Sequence, residues 1–108
     1  MYKRQAIEYH ERHLKISKEV GDRAGEGTAY CNLGNVYFQL ADFRKAIEYL
    51  EGYLKSSKEE TDRAEEGSVS CLLGNAYQRL GDFLKAIEYH ERHLKISKEV
   101  GDLSLIHI

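Results

Sequence analysis

Two stretches of this chain set histidines where they could hold a metal or move a proton: His10-Glu11-Arg12-His13 and, further on, His90-Glu91-Arg92-His93. On a helix the two imidazoles of each stretch share a face, with a carboxylate between them in sequence. A zinc hydrolase instead spaces its histidines four apart and sets the glutamate beside the first. A middle copy of the same segment carries Leu50 and Tyr53 at the two histidine positions. Positions that accept Leu and Tyr are packing positions, so the histidines read as structural, and no metal site is expected.

Cys31 and Cys71 offer the other route to metal or redox chemistry. They fall at the same place in two copies of one segment, so they belong on neighbouring helices, whose axes pack roughly 8–10 Å apart. A disulfide wants Cα atoms closer than about 7 Å, and no further Cys or His pair lies at ligand spacing. Both are expected to be free thiols. Leu33-Gly34-Asn35 and Leu73-Gly74-Asn75 lack the strand and the Gly-Lys-Ser/Thr of a phosphate-binding loop, and no Ser, His and acid set is recognisable. The expectation is a protein without catalytic residues and without a cofactor.

A polar stripe remains. Thr28, Cys31, Asn35, Phe38 and Gln39 are spaced for one helical face, and Ser68, Cys71, Asn75, Gln78 and Arg79 repeat the spacing. Asn offers a donor and an acceptor to the backbone of an extended ligand, whatever its sequence, and Arg grips a carboxylate in bidentate fashion. Against that, Asn35 and Asn75 could merely cap or solvate a helix, a role in which Asn is common.

The elements that must position this stripe follow from a repeat. The stretch from Leu33 to Tyr49 returns as Leu73 to Tyr89, a period of 40 residues. A fixed period of this length marks stacked supersecondary units, none of which buries its apolar face alone. Tyr30, Leu33, Gly34, Tyr37 and Leu40 make one helical stripe, and Phe43, Ala46, Ile47, Leu50 and Leu54 make a second. Between them Ala41-Asp42, and in the next copy Gly81-Asp82, suit a helix stop followed by an N-cap. Each unit is therefore an antiparallel pair, helix A then helix B, with Gly34 and Gly74 set on the apolar stripe for close packing.

Residues 6–22 are identical to 86–102, so the chain opens on a B helix. The order is B, A, B, A, B. The half repeat covers residues 2–22, full repeats cover 23–62 and 63–102, and a tail, 103–108, leaves the pattern. The A helices are expected from about Arg23 to Leu40 and from Arg63 onward, the B helices over Phe43 to Glu60 and Phe83 to Val100. Gly21 and Gly101 are the natural stops, Thr61 replacing them in the middle copy. Gly25 and Gly27 soften the first A helix, each costing roughly 1 kcal/mol against Ala, whereas Asp62-Arg63-Ala64-Glu65 should start the second more firmly. Leu33, Leu73, Tyr37, Tyr77, Ala46, Ala86, Ile47 and Ile87 are the expected core.

Tyr30, Leu33-Gly34, Tyr37, a small residue at the turn, Phe43 and Ala46 resemble the tetratricopeptide repeat signature, and Leu73-Gly74, Tyr77, Gly81, Phe83 and Ala86 resemble it again. The longer period, Tyr30 or Ser70 in place of the usual Trp, and the absence of Pro make the chain similar to the Pins-type arrays of G-protein-signalling modulators and, more loosely, to those of kinesin light chains. The resemblance spans residues 2–102. It implies an all-α, right-handed solenoid forming a single repeat domain, with the A helices lining a concave groove that binds an extended peptide, acidic peptides among its partners, as a non-enzymatic scaffold.

Composition agrees with a helical protein of mixed surface. The 108 residues carry a net charge of −2, with 31% charged and 42% hydrophobic side chains, so no pull toward nucleic acid or anionic membrane is expected. No signal-like or membrane-spanning run is present, and the expected location is cytoplasmic. The first helix carries Ala6, Ile7, Leu14 and Ile16, and the last Ala86, Ile87, Leu94 and Ile96, as apolar sets with no A helix to share them. The break after Asp102 reads as a truncated array. A self-associating structural repeat, joined end to end and binding no peptide, is therefore the second reading.

Overall fold

A computed structural model describes residues 2–56 and 63–106 of the chain, with side chains through Gly101. These residues form five α-helices and no strand: α1 (Tyr2–Val20), α2 (Arg23–Gln39), α3 (Phe43–Ser56), α4 (Arg63–Leu80) and α5 (Phe83–Ile106). They gather into two compact units, Met1–Lys58 holding α1 to α3 and Glu59–Ile108 holding α4 and α5. Helices α2 and α4 are the A helices, and the B-A-B-A-B order stands. The stop at Thr61, the cap at Asp62 and the end of the middle B helix beyond Ser56 lie outside the described residues.

The turns are built from the residues that suggested them. After α2, the Ala41 and Asp42 N–H groups donate to Phe38 O and Tyr37 O at 3.0 and 2.9 Å, and Ala41 sits at φ 61°. After α4, Gly81 at φ 85° and Asp82 repeat these bonds to Gln78 O and Tyr77 O, both at 3.0 Å. Asp42 and Asp82 then cap the following helices, each accepting through Oδ1 from the N–H of Lys45 or Lys85 at 3.2 Å. Asp22 caps α2 likewise, accepting from Gly25 N at 2.9 Å, after Gly21 has ended α1 at φ 73°.

Gly101 does not repeat that stop. Helix α5 runs through it to Ile106, although residues 86–102 match 6–22. Glycine permits the left-handed turn without requiring it. At Gly21 the turn is held by α2 folding back on α1, and Leu103-Ser104-Leu105-Ile106 does not reproduce the start of α2.

In the first unit Leu14, Ala29 and Leu33 form the buried centre, with Ile7, Tyr30, Tyr37 and Tyr49 against it. Ala46, Ile47 and Leu50 are buried on α3. In the second unit Val69, Leu73 and Ala76 of α4 and Ala86 and Ile96 of α5 are buried. Glycines set the spacing of each pair. A Cβ on Gly34 would lie 2.5 Å from Leu50 Cδ2, and one on Gly74 would lie 2.6 Å from the His90 ring. Gly25 and Gly27 likewise sit under Ser17 and Tyr53, so they make room for neighbours as well as softening α2.

Three expectations about burial are corrected. Ile87 is 52% exposed, and Tyr37 and Tyr77 are half-buried, each stacked on a B-helix tyrosine: Tyr37 on Tyr49 at 5.6 Å and Tyr77 on Tyr89 at 5.7 Å, both pairs within 7° of parallel. The apolar residues of a B helix also divide between two faces. Ile7 and Leu14 turn toward the A helix that follows, while Ala86 and Ile96 are buried in the unit formed with the A helix that precedes. Ile16 is left half exposed on α1, as Ile87 and Leu94 are exposed on α5.

Candidate functional site

Helices α2 and α4 position the polar stripe. Each has its glycine and leucine side against its B helix, while the stripe residues, spaced three, four or seven apart along the helix, share another face. On α2, Thr28, Asn35 and Gln39 are exposed, and Cys31 and Phe38 are half-buried. The Phe38 ring meets Phe43 edge-on at 5.2 Å, so it braces the α2–α3 turn while keeping part of its surface open. On α4, Ser68, Gln78 and Arg79 are exposed, and Cys71 and Asn75 are half-buried.

Some of the stripe's hydrogen-bonding capacity is already engaged. Thr28 donates its hydroxyl to Ala24 O at 3.0 Å and Ser68 to Ala64 O at 3.3 Å, each one helical turn back. Asn75 points Nδ2 at Cys71 Sγ, 3.9 Å away, a weak contact because thiol sulfur is a poor acceptor. The hydroxyl oxygens keep acceptor capacity and the Asn35 amide lies in solvent. Neither Cys31 nor Cys71 is in a disulfide. The stripe thus occurs twice, once in each unit, as a mixed donor and acceptor surface with an arginine only on the second.

The histidines have other work. His93 places Nδ1 2.9 Å from Gly67 O, and His90 fills the space that the missing Gly74 side chain leaves. His10 is half-buried with Tyr9 edge-on to it at 5.3 Å. Burial and the neighbouring His13 together lower its pKa from the ordinary 6.5. No group of three His, Cys, Asp or Glu side chains that could hold a metal occurs among the described residues.

Sequence reasoning missed an ion-pair chain across the second unit. Glu66, buried on α4, accepts from Arg92 of α5 at 2.6 Å and from Arg63 at 3.0 Å, and Arg63 also binds Glu99. Burial alone would raise the Glu66 carboxyl, but Arg92 and Arg63 outweigh it and hold the pKa below the ordinary 4.5. The signal was legible in the pairing of Glu66 with Arg92, since the first unit has Glu26 but Gly52 in those places. An open recess of about 530 Å³ beside Tyr2, Lys3, Arg4, Ile7 and Leu40 completes the first unit's surface. Among the described residues no helix is long and apolar enough to cross a membrane.

Comparison with known proteins fits this arrangement. G-protein-signaling modulator 1 of Mus musculus, of Rattus norvegicus and of Homo sapiens is each 51% identical over 39 residues, 36% of this chain. The chain spans about 6% of the length of these relatives. The crystal structure of the TPR domain of Arabidopsis FLU superposes with a TM-score of 0.84 over 90% of this chain and 82% of that one, at 22% identity, which shows a shared all-α repeat fold. The tetratricopeptide repeat profile matches residues 4–59, and a second profile of the same description matches 72–104. With the paired helices, the glycine-spaced packing and the repeated turns all in register with those matches, the chain belongs to the tetratricopeptide repeat family.

Proposed function

We propose that this chain is a non-enzymatic protein-interaction scaffold that takes an extended peptide along the outward faces of its A helices, the groove expected from the sequence. Repeats of this family generally mediate protein–protein interaction, and the relatives are signalling modulators by name. The observation that carries the reading is the recurrence of one polar stripe on α2 and on α4: Thr28 and Ser68, Asn35 and Asn75, Gln39 and Arg79 stand in matching places, all exposed except the half-buried Asn75. Surface that only solvates a helix has no need of matched amides at mid-helix, where Asn is a poor helix former. Arg79 makes acidic peptides the favoured class, and a cytoplasmic location is part of the proposal.

The test is a triple substitution, Asn35→Ala, Asn75→Ala and Arg79→Ala, assayed against acidic peptides. Binding is expected to be lost, since a charge-assisted hydrogen bond contributes about 1.5–3 kcal/mol, while the melting temperature changes little. Undiminished binding would show the stripe to be idle, and lost helicity would make the amides structural. The exposed Ile16, Ile87 and Leu94 favour the second reading, a self-associating repeat. Sedimentation of the unliganded chain as a concentration-dependent oligomer, with no peptide bound, would select it.

A further inference from the structure

The α2–α3 and α4–α5 corners share one backbone. In each, the turn residue holds a left-handed φ, 61° at Ala41 and 85° at Gly81, and donates to Phe38 O or Gln78 O at 3.0 Å. Asp42 and Asp82 cap the following helix at the same 3.2 Å, and the tyrosine stacks beside the corners match, at 5.6 and 5.7 Å and 7°. The side chains set on this common frame differ. Phe38 lies edge-on to Phe43 at 5.2 Å, and Phe43 is half-buried. In the second unit Gln78 stands in the place of Phe38, and Phe83, the counterpart of Phe43, is 63% exposed. The two helix ends that frame Phe83 on this side, the last turn of α4 and the first of α5, are both in place, so the exposure comes from the loss of a ring within one helix pair. Gln78 and Arg79, both exposed, are also the last two residues of the polar stripe on α4.

Resting on the peptide-binding role proposed for that stripe, we propose that Phe83 and Gln78 form an aromatic-binding subsite at its end. The acidic peptide carries a Phe, Tyr or Trp whose ring lies edge-on to Phe83, where Phe38 lies in the first unit, and an acidic residue two positions away that Arg79 holds. The first unit states the preference for a ring, since edge-to-face pairs gain over the burial of equal apolar area. The spacing follows from the extended chain, in which neighbouring side chains point to opposite sides and those two apart share a side, roughly 7 Å from each other. Adjacent positions on α4 and the long arginine stem span that distance. A second copy of this chain does not supply the pair. Each aromatic residue of the chain that has an acidic residue two positions away, as Tyr9 has Glu11 and Tyr89 has Glu91, lies within a helix, where residues two apart do not face the same way.

The probes are end-blocked acidic peptides of Glu, Ser and Gly with one Phe two residues before or after a Glu, and the same peptides with Ala for Phe, titrated into the full 108-residue chain. The better Phe peptide is expected to bind about tenfold more tightly than its Ala partner. Phe83→Ala should bring that ratio to about one, and so should Gln78→Phe, which supplies the ring from within the chain. Arg79→Ala should weaken both peptides and leave the ratio. Because Phe83 is mostly exposed, the helicity and melting temperature of the Phe83→Ala chain should match the parent's, and Gln78→Phe keeps the test decisive if they do not. A ratio of about one in the parent, with both peptides bound and both weakened by Arg79→Ala, would overturn the subsite and leave the peptide-binding role standing. A preference for Phe that survives both Phe83→Ala and Gln78→Phe would overturn the subsite too. No binding of any of these peptides would overturn both. So would a homodimer of the parent that Phe83→Ala dissociates and that binds no peptide, because a second copy would then cover the ring.

Discussion

Arg92 reaches from α5 to the carboxylate of Glu66 on α4, 2.6 Å away, and the repeat-equivalent of Arg92 in the first unit is Gly52, against which the Tyr30 ring packs. One helix-pair interface therefore has two solutions: a buried carboxylate held by arginine beside the small Ser70, or an aromatic ring beside glycine.

The first solution makes stability depend on pH. The folded Glu66 carboxyl is held below 4.5 by Arg92 and Arg63 against the opposing effect of burial, so on acidification the unfolded chain takes up this proton first. The contribution is complete above the ordinary carboxylate range and drains away as the pH falls through the folded value. Glu66→Ala should cost about 2 kcal/mol at neutral pH. Urea denaturation should show the stabilities of mutant and parent converging as the pH falls below the ordinary carboxylate range.

The second solution is coupled in size. A Cβ on Gly52 would lie 2.8 Å from Tyr30 Cε1, so Gly52→Arg alone should destabilise by about 2 kcal/mol. Combined with Tyr30→Ser, which opens the space and leaves Glu26 as a partner, the cost should be less than the sum of the two single effects. A double-mutant cycle by chemical denaturation should return a favourable coupling of about 1 kcal/mol or more.

Alanine in place of glycine should have opposite signs at two helical positions. At Gly34 the new Cβ would meet fully buried Leu50 at 2.5 Å, and the strain, about 2 kcal/mol, exceeds the roughly 1 kcal/mol gained in helix propensity. At Gly101 a Cβ meets nothing within 4 Å and only the propensity gain remains. Melting temperatures of the two mutants should fall and rise respectively.

Ala41 holds the left-handed conformation, φ 61°, that Gly81 occupies at the matching turn. A left-handed residue with a Cβ costs about 1–2 kcal/mol, part of which glycine returns as unfolded-state entropy. Ala41→Gly should stabilise the chain by about 1 kcal/mol, read from the urea midpoint at unchanged slope.

Ser70 is fully buried, and its hydroxyl has no hydrogen-bond partner among the described residues. Burying an unpaired hydroxyl costs about 1–3 kcal/mol on the scale of protein mutations. Ser70→Ala removes the oxygen with little loss of packing and should raise the melting temperature.

The sequence by itself determined the helices and their joints. Helical spacing of Tyr30, Leu33 and Tyr37 and of Ala46, Ile47 and Leu50, with Asp42 and Asp82 after a small residue, are local signals, and the backbone follows them because helix, stop and cap are decided within a few residues. The glycines facing Leu50 and His90 were legible for the same reason, recurring on an apolar stripe. Burial was not legible in this way. Leu14 and Leu94 sit in identical sequence, yet one is 9% and the other 67% exposed. Gly21 ends a helix at φ 73° whereas Gly101 continues one. The face of the candidate site also drew Cys71 and Asn75 partly inward, which spacing on a helical wheel does not reveal. In each case the deciding quantity is the neighbour that a side chain meets. Apolar burial and the docking of one helix on the next depend on residues far away in sequence, and only the packed structure specifies them.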